Sequence, residues 1–597
     1  MYCGTAGTTP SWCSRSSSRQ PARGRHCFCR MRPGPEGRTG TRPPRPGGCA
    51  ACKAASDQLR GTSFMQVCEA LARALYDNDI RKVFGVLGDA NLFIMNSFHE
   101  MADAEYIGAA SEGGAVLSAV GYGQVSGKLA VASVTHGPGL TNTLTALVEA
   151  ERARQPLLLI AGDSPLSQRE HIQDIDQRMV ALAAGVAFER VRSAESAVAD
   201  VAAAVRRAWV ERIPVVLNVP IEIQWQEVEY RAVRASIDAV PSLPATESIE
   251  DAVGLIASSA RPLVLAGRGV ALSGATEAIA RFAERVGAPL ATTLRGKDQF
   301  RGLPQNLGVF GTLSHEAALQ VITHSDCVIA FGCGLNPWTT AEGSLVRGKR
   351  VVHVDTDATR LDKSTTVDVA VLGDAQSAAD AMAQLLDDAE VPASKFVDTA
   401  IALVSAGADD DRPSRATTGN FDTAAILARV NAAVPKNRVV VTDNGRFIKQ
   451  AFTALEVEEP QSYAHAVSFG AIGCGMSVAL GATYAAPDRP VLVAVGDGGF
   501  ALGGLSDLVM AVQQKRNLVV LLLNDFAYGA EYVQLTGRDM EPGFTTLTWP
   551  DFGEIAKSIG AQGYTASNFV ELDEALSSLD FASGPALLEV RIDPAKA

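Results

Sequence analysis

The sequence predicts an α/β protein built from three doubly wound parallel-sheet domains, and three observations carry that reading. At 597 residues the chain is too long for one hydrophobic core and fits three or four domains. Helical apolar patterns alternate with short apolar runs of strand length, as expected of parallel strands joined by crossover helices. In the last third, those runs end in polar, glycine-containing or acidic turns, and open α/β sheets bind ligands at the carboxyl ends of their strands.

Residues 1–64 stand apart from this pattern. They hold 11 Lys and Arg against Glu36 and Asp57, and include six of the ten cysteines: Cys3, Cys13, Cys27, Cys29, Cys49 and Cys52. An Arg- and Ser-rich transit peptide is one reading. A metal site on Cys27, Cys29, Cys49 and Cys52 is another, weakened by the Pro and Gly around them. The reading adopted is a disordered or non-native extension, because amphipathic patterning begins abruptly at Met65.

The first block spans 65–235, with strands expected around Lys82–Leu87, Leu129–Val134, Pro156–Ala161 and Pro214–Val219. A Pro- and Ser-bearing connection over 236–248 leads to a second block, 249–390, with apolar runs at Arg261–Gly267, Cys327–Gly332 and Arg350–Asp355. A polar stretch containing Ala408-Asp-Asp-Asp-Arg marks 391–419 as a linker. The third block, 420–597, has strands at Arg438–Asp443, Pro490–Val495 and Leu518–Leu523.

Composition narrows the function classes. The net charge of −13, with a basic first segment, leaves residues 65–597 strongly acidic, which argues against nucleic acid or an anionic membrane surface as partner. No apolar run approaches the roughly 18 residues of a membrane span. Cys68, Cys327, Cys333 and Cys474 are scattered over more than five hundred residues, a pattern of free thiols that predicts a cytoplasmic protein.

The chemistry is concentrated in the third block. Gly496-Asp497-Gly498-Gly499 closes one apolar run and opens a helical pattern. Glycines let the backbone approach a phosphate, and a helix N-terminus offers it unpaired N–H groups. Asp497 supplies a hard oxygen of the kind Mg²⁺ prefers. Alone, this is a common turn. After a further 25 residues the next apolar run ends in Asn524-Asp525-Phe526-Ala527-Tyr528-Gly529, so Asp497 and Asp525 are predicted at neighbouring strand ends.

These motifs resemble the thiamine diphosphate enzymes related to acetolactate synthase, benzoylformate decarboxylase and pyruvate decarboxylase, and the likeness extends over about 65–597. The family fingerprint is Gly-Asp-Gly, about 25 residues, then Asn-Asn. The resemblance implies a pyrimidine-binding first domain, a central domain, and a third domain that binds the diphosphate and metal. It implies Mg²⁺ held by Asp497, Asp525 and the Ala527 carbonyl, with Gly496, Gly498, Gly499, Tyr528 and Gly529 around the diphosphate. Asp525 departs from the pattern, since relatives carry Asn there.

Thiamine chemistry needs a carboxyl group at the aminopyrimidine ring, whose imino form deprotonates thiazolium C2 to give a nucleophilic ylid. The segment Ala109-Ala-Ser-Glu-Gly-Gly-Ala resembles the motif bearing that group, which implies Glu112 as the activator; read without the family, Glu112 is a first-turn carboxylate favoured by the helix dipole. Ser468-Phe-Gly-Ala-Ile-Gly resembles the segment that grips the ring through Gly470 and Ile472, and without the family is a glycine-rich helix start. Asn444, Gly445, Arg446 and Phe447 match a diphosphate-side turn, with Arg446 replacing a usual Gln; its guanidinium either clamps an anion or makes a surface ion pair.

In Val134-Thr-His-Gly-Pro-Gly, His136 replaces a Ser of acetolactate synthases and either shuttles protons or braces the turn. Gln173 stands where the synthases have a Gln near substrate, with His171 a weaker candidate. Gly332-Cys-Gly-Leu-Asn-Pro-Trp lacks the arginines associated with FAD, which makes FAD doubtful. Ala530 and Gln534 replace the Met and Trp of the synthase pocket, and Glu531 adds an acid.

The resulting expectation is a thiamine diphosphate-dependent 2-oxo acid carboligase or decarboxylase working through an enamine, with a carbonyl acceptor in the carboligase case. Acetolactate synthase is the first alternative; a catalytically silent partner subunit is the second, and a flavin-linked oxidase requires FAD. The family places active sites between subunits, so a homodimer or homotetramer is implied.

Overall fold

The computed structural model describes residues 64–165, 167–168, 170–237, 242–407 and 421–595. The expected extension therefore lies outside the described residues, except for Phe64. Residues Phe64–Gln66 form a short strand that pairs antiparallel with Glu227–Glu229, and the first helix begins only at Val67. Helical patterning at Met65 thus gives way to a strand for its first two residues.

Three six-stranded sheets follow, each wholly parallel, and they make the α/β architecture with three doubly wound layers that the alternating pattern predicts. Their central strands are continuous apolar runs, such as Leu157–Asp163, Cys327–Phe331 and Leu518–Asn524, because helices cover both faces. The edges are shorter and more polar, as in Glu105–Gly108 and Gln562–Ala566.

With strands numbered in chain order within each sheet, the first has the order 2-1-3-4-6-5: Glu105–Gly108, Lys82–Gly85, Ala130–Val134, Leu157–Asp163, Pro214–Pro220, Ala187–Arg190. The last has the same order: Tyr463–His465, Val439–Thr442, Val491–Gly496, Leu518–Asn524, Ala586–Arg591, Gln562–Ala566. The middle sheet is different. Its order, 3-2-1-4-5-6, begins at Asn306–Val309 and ends at Val369–Leu372, and this is the dinucleotide-fold arrangement.

The two matching sheets are joined through equivalent helices. Glu112–Ser126 follows the second strand of the first sheet, and Gly475–Ala485 follows the second strand of the last; they pack face to face. Glycine makes this approach feasible. A Cβ on Gly121 would lie 1.9 Å from the Val478 carbonyl oxygen, and one on Gly481 would lie 1.8 Å from that of Ser118. Ser118 Oγ donates to the Ser477 carbonyl at 3.0 Å across the same contact.

The segment 391–419, expected as a linker, carries a helix at Phe396–Gly407; its Phe396 and Ala400 are buried against the middle sheet. No helix among the described residues is long and apolar enough to cross a membrane.

Candidate active site

Strands Val491–Gly496 and Leu518–Asn524 lie side by side with Gly496 opposite Leu523, so the residues that follow them, Asp497 and Asp525, emerge together. Both carboxylates are buried, at 2% and 8% exposure. Burial raises the pKa of Asp497, against hydrogen bonds that include one from Trp549 Nε1 at 2.8 Å. Burial and the neighbouring Asp497 charge push Asp525 up to about 6, with Arg446 opposing. Two neighbouring buried acids, each penalised for ionising by burial and one also by the other's charge, are a ready site for a cation.

The turn between them and the next helix is unusual. Phe526 sits in the left-handed region at φ 54, and Tyr528 N and Leu547 N bond to the carbonyls of Thr545 and Phe526 on either side of the Ala527–Thr546 bridge. This leaves the carbonyl of Ala527, a residue 2% exposed, with no hydrogen bond among the described residues. Two buried carboxylates and one unsatisfied carbonyl oxygen form an all-oxygen donor set, which fits Mg²⁺ completed by phosphate oxygens.

Glycines hold open the space beside these donors. A Cβ on Gly498 would meet the Tyr528 ring at 3.2 Å, with Ile472 Cδ1 at 3.9 Å. On Gly529 it would lie 2.4 Å from Asp525 Oδ2, and on Gly499 2.5 Å from Asp443 Oδ2. The helix that starts at Asp497 contains a π-helical stretch at Phe500–Gly504, a feature frequent at functional sites.

Arg446 is placed beside this cluster, with Nη1 3.8 Å from Asp525 Oδ2 and donating to the Pro594 carbonyl at 2.6 Å. Asn444 donates to the Gly470 carbonyl at 2.7 Å. Gly445 packs on the buried Phe447, whose ring also faces Gly496. Gly470, at φ 85, is exposed, and Ile472 is half-buried.

Two buried acids escaped the sequence reading. Asp443 accepts from Gly473 N, Cys474 N and Gly475 N at 2.8, 3.2 and 3.1 Å. Burial pushes it up to about 6 against those bonds. Glu149, on the helix Leu144–Arg152, accepts from Ser468 N and Phe469 N at 2.9 and 2.6 Å. Asp443 directly precedes the Asn444–Phe447 turn and is legible as an acid closing a strand; Glu149 leaves no local signal.

On the first sheet, Glu112 begins its helix after Ser111, whose side chain accepts from Gly114 N, and Glu112 Oε2 accepts from Asn142 Nδ2 at 3.1 Å. No hydrogen bond or ion pair among the described residues joins Glu112 to Asp497 or Asp525. His136, Gln173 and His171 do come together. The His136 and His171 rings are 5.0 Å apart, Gln173 N bonds His171 Nδ1 at 3.3 Å, and a Cβ on Gly137 would lie 2.3 Å from the Gln173 carbonyl oxygen. Burial first, then His171, lowers the His136 pKa, and Nε2 of this 2%-exposed residue has no hydrogen-bond partner among the described residues. A neutral imidazole with one free nitrogen is suited to proton exchange or to accepting a hydrogen bond. The helix Gly529–Thr536, which carries Ala530, Glu531 and Gln534, buries no residue.

An α/β enzyme with duplicated outer sheets, one bearing paired metal-type carboxylates and the other a helix-start glutamate, belongs to the class that works through a diphosphate cofactor. The chain is a member of the thiamine pyrophosphate enzyme family. It matches the N-terminal TPP binding domain over residues 65–182, the central domain over 249–382 and the C-terminal TPP binding domain over 443–590. It is 27% identical to a probable acetolactate synthase large subunit of Methanocaldococcus jannaschii, over 89% of this chain and 93% of the relative. It is 26% identical to a sulfoacetaldehyde acetyltransferase of Alcaligenes xylosoxydans xylosoxydans, over 87% and 91%. It is 28% identical to a probable 2-ketoarginine decarboxylase of Pseudomonas aeruginosa, over 88% and 93%.

Proposed function

We propose that the protein is a thiamine diphosphate-dependent carboligase or decarboxylase of 2-oxo acids. The observation that carries this reading is the cluster of Asp497, Asp525 and the unsatisfied Ala527 carbonyl at two adjacent strand ends. In this reading these three hold Mg²⁺, and the backbone of Gly496, Gly498 and Gly499, with Asn444, Gly445, Phe447, Tyr528 and Gly529, lines the diphosphate. Gly470 and Ile472 bear on the aminopyrimidine, and residues 65–235, 249–390 and 420–597 act as pyrimidine-binding, central and diphosphate-binding domains.

When bound, thiamine diphosphate supplies a nucleophilic carbon that adds to a 2-oxo acid and takes up the electrons released as CO₂ leaves. Glu112 holds a proton at the aminopyrimidine nitrogen. His136, lowered in pKa and with Nε2 unpaired among the described residues, exchanges a proton near the reacting carbonyl, and Gln173 orients the substrate. In this reading the working site pairs Glu112 with the third domain of a second copy, in a homodimer or homotetramer, as the family resemblance implies; among the described residues the Glu112 side chain bonds Asn142 of its own domain.

Acetolactate synthesis is the second reading. The name of the M. jannaschii relative favours it, while Ala530 and Gln534 make the acceptor pocket wider and more polar than in the synthases. FAD, doubtful from the sequence, is not called on by the bond changes of either reading, which are redox-neutral.

The test supplies purified protein with thiamine diphosphate and Mg²⁺ and screens 2-oxo acids, with and without aldehyde acceptors, for CO₂ release and for coupled product. Turnover that Glu112→Gln abolishes supports the reading; no CO₂ from any acid overturns it. Acetolactate from pyruvate alone would select the second reading.

A further inference from the structure

Glu149 is a carboxylate with no exposed surface, and both of its oxygens are committed to the main chain of another domain. Its helix, Leu144–Arg152, belongs to the first sheet's layer, where Ala146, Leu147 and Ala150 supply the packing. Apolar packing at this point has no need of an acid, and a buried carboxylate is costly unless hydrogen-bonded and paired. Here both compensations are present. Oε1 and Oε2 accept from consecutive amides, Ser468 and Phe469, and Arg295 of the middle domain supplies positive charge. Burial pulls Arg295 down to about 10 while Glu149 supports its charged form. One carboxylate therefore touches or balances groups from all three domains.

The segment it grips is bounded on the far side by Asp443, which takes the amides of Gly473, Cys474 and Gly475. Between the two acids lie Gly470, Ala471 and Ile472, with the Gly470 carbonyl turned to Asn444. Arg152, three residues from Glu149 on the same helix, places its guanidinium 5.1 Å from the centre of the Phe469 ring, a second hold on the same residue. The segment has two glycines at positive φ, Gly470 and Gly473, so its backbone has little intrinsic preference for this shape.

We propose that Glu149 is a positioning residue: by fixing the Ser468 and Phe469 amides it presets the Gly470–Ile472 backbone for the cofactor and makes cofactor affinity depend on the docking of the first domain. The inference rests on the proposed function for what Gly470 and Ile472 contact. It assigns Glu149 no part in bond making. Preorganisation of this kind raises affinity by removing the ordering cost from the binding step.

The experiment compares the full chain with Glu149→Gln and Glu149→Ala. Gln preserves volume but turns an NH₂ toward one of two N–H donors; Ala removes both acceptors. Amide hydrogen exchange over residues 468–475 is measured without cofactor, and the thiamine diphosphate dissociation constant is measured calorimetrically with Mg²⁺. The expected result is slow exchange of this segment in the wild type, exchange at least tenfold faster in both variants, and a dissociation constant raised about tenfold or more. Turnover at saturating cofactor stays within about threefold. Faster exchange with unchanged affinity would reduce Glu149 to a structural brace and overturn the proposal. Unchanged exchange would overturn it as well, and so would rapid exchange of the segment in the wild type, which needs no variant to fold. Failure of the wild type to bind thiamine diphosphate would instead sink the proposed function, with the exchange comparison still reporting on the Glu149 clamp.

Discussion

The first and last sheets share one strand order, 2-1-3-4-6-5, and pack the helix after their second strand against each other, yet their strand ends carry different chemistry. In the last sheet, strands one, three and four are followed by Asp443, Asp497 and Asp525, all buried. In the first sheet, strand three is followed by Thr135 and the buried His136, and the acid of interest, Glu112, stands at the helix start after strand two. Burial disfavours the charged form on both sides, raising Asp497 and Asp525 and lowering His136. Only the acidic side gains from a cation. The scaffold is duplicated, and in the proposed function the work is divided: anion and metal on one copy, proton handling on the other.

The sharpest way to break this division is to remove the proton-handling acid alone. Glu112→Gln keeps the shape of the first-turn residue and its contact with Asn142 but not its acidity. CO₂ release should fall about 10³-fold, within the range for general acid–base groups, while thiamine diphosphate binding changes little. Retained turnover would mean that the first sheet does not handle the proton.

The shared scaffold is itself testable at its seam. Gly481→Ala places a methyl where the Ser118 carbonyl oxygen is 1.8 Å away, so the two helices must separate. The expected loss is about 3 kcal/mol of stability in denaturant unfolding, at the upper end for overpacking. Gly108→Ala, on the first sheet and with nothing within 4 Å, is the control away from the seam. Equal stability of the two variants would show that the seam yields without cost.

Asp507, in the helix Leu505–Gln513 beside the seam, gives a pH test. It is 4% exposed, receives the Ser477 hydroxyl at 2.5 Å, and is pushed by burial from 3.8 up to about 6. A folded-state pKa above the unfolded one means that the folded state binds more protons between these values. Asp507 therefore favours folding most below about pH 4, and its contribution declines as pH rises to about 6 and is constant above. The size is about 2 kcal/mol across that window. Asp507→Asn should flatten that part of the stability profile; an unchanged slope would assign it to other groups.

Much of the fold was legible because strands buried on both faces become unbroken apolar runs, such as Leu518–Leu523. Edge strands such as Gln562–Ala566 lack that mark, and the helix Phe396–Gly407 was hidden by the acidic run that follows it. Asp497 and Asp525 were legible as a spacing, since one helix between two paired strands brings the residues after both strands together. Glu149 was not. Its meaning comes from amides more than three hundred residues away, and an isolated acid in an amphipathic helix reads as a surface residue. The contact of His136 with His171 depends likewise on a loop that returns to the Gly137 turn.

The smallest expected effect asks whether the metal side tolerates its own departures from the family pattern. Asp525 stands where relatives carry Asn, and Arg446 where they carry Gln; read separately, one adds a negative charge near a diphosphate and the other an unassigned positive one. The structure places the two 3.8 Å apart, both largely shielded from solvent, so the added charges oppose each other locally. If they form a compensating pair, each single reversion should cost affinity. Asp525→Asn leaves Arg446 without its partner carboxylate and takes one charged ligand from the candidate metal site. Arg446→Gln leaves two buried carboxylates with less opposing charge. Either change should raise the thiamine diphosphate dissociation constant about tenfold in Mg²⁺, or about 1.4 kcal/mol. The double reversion restores the family arrangement and should lie within about threefold of the wild type. The cycle would then give a coupling energy of about 2–3 kcal/mol, well beyond what independent sites show. Additive losses would mean that Arg446 serves another group, and the Pro594 carbonyl it already bonds is the first alternative.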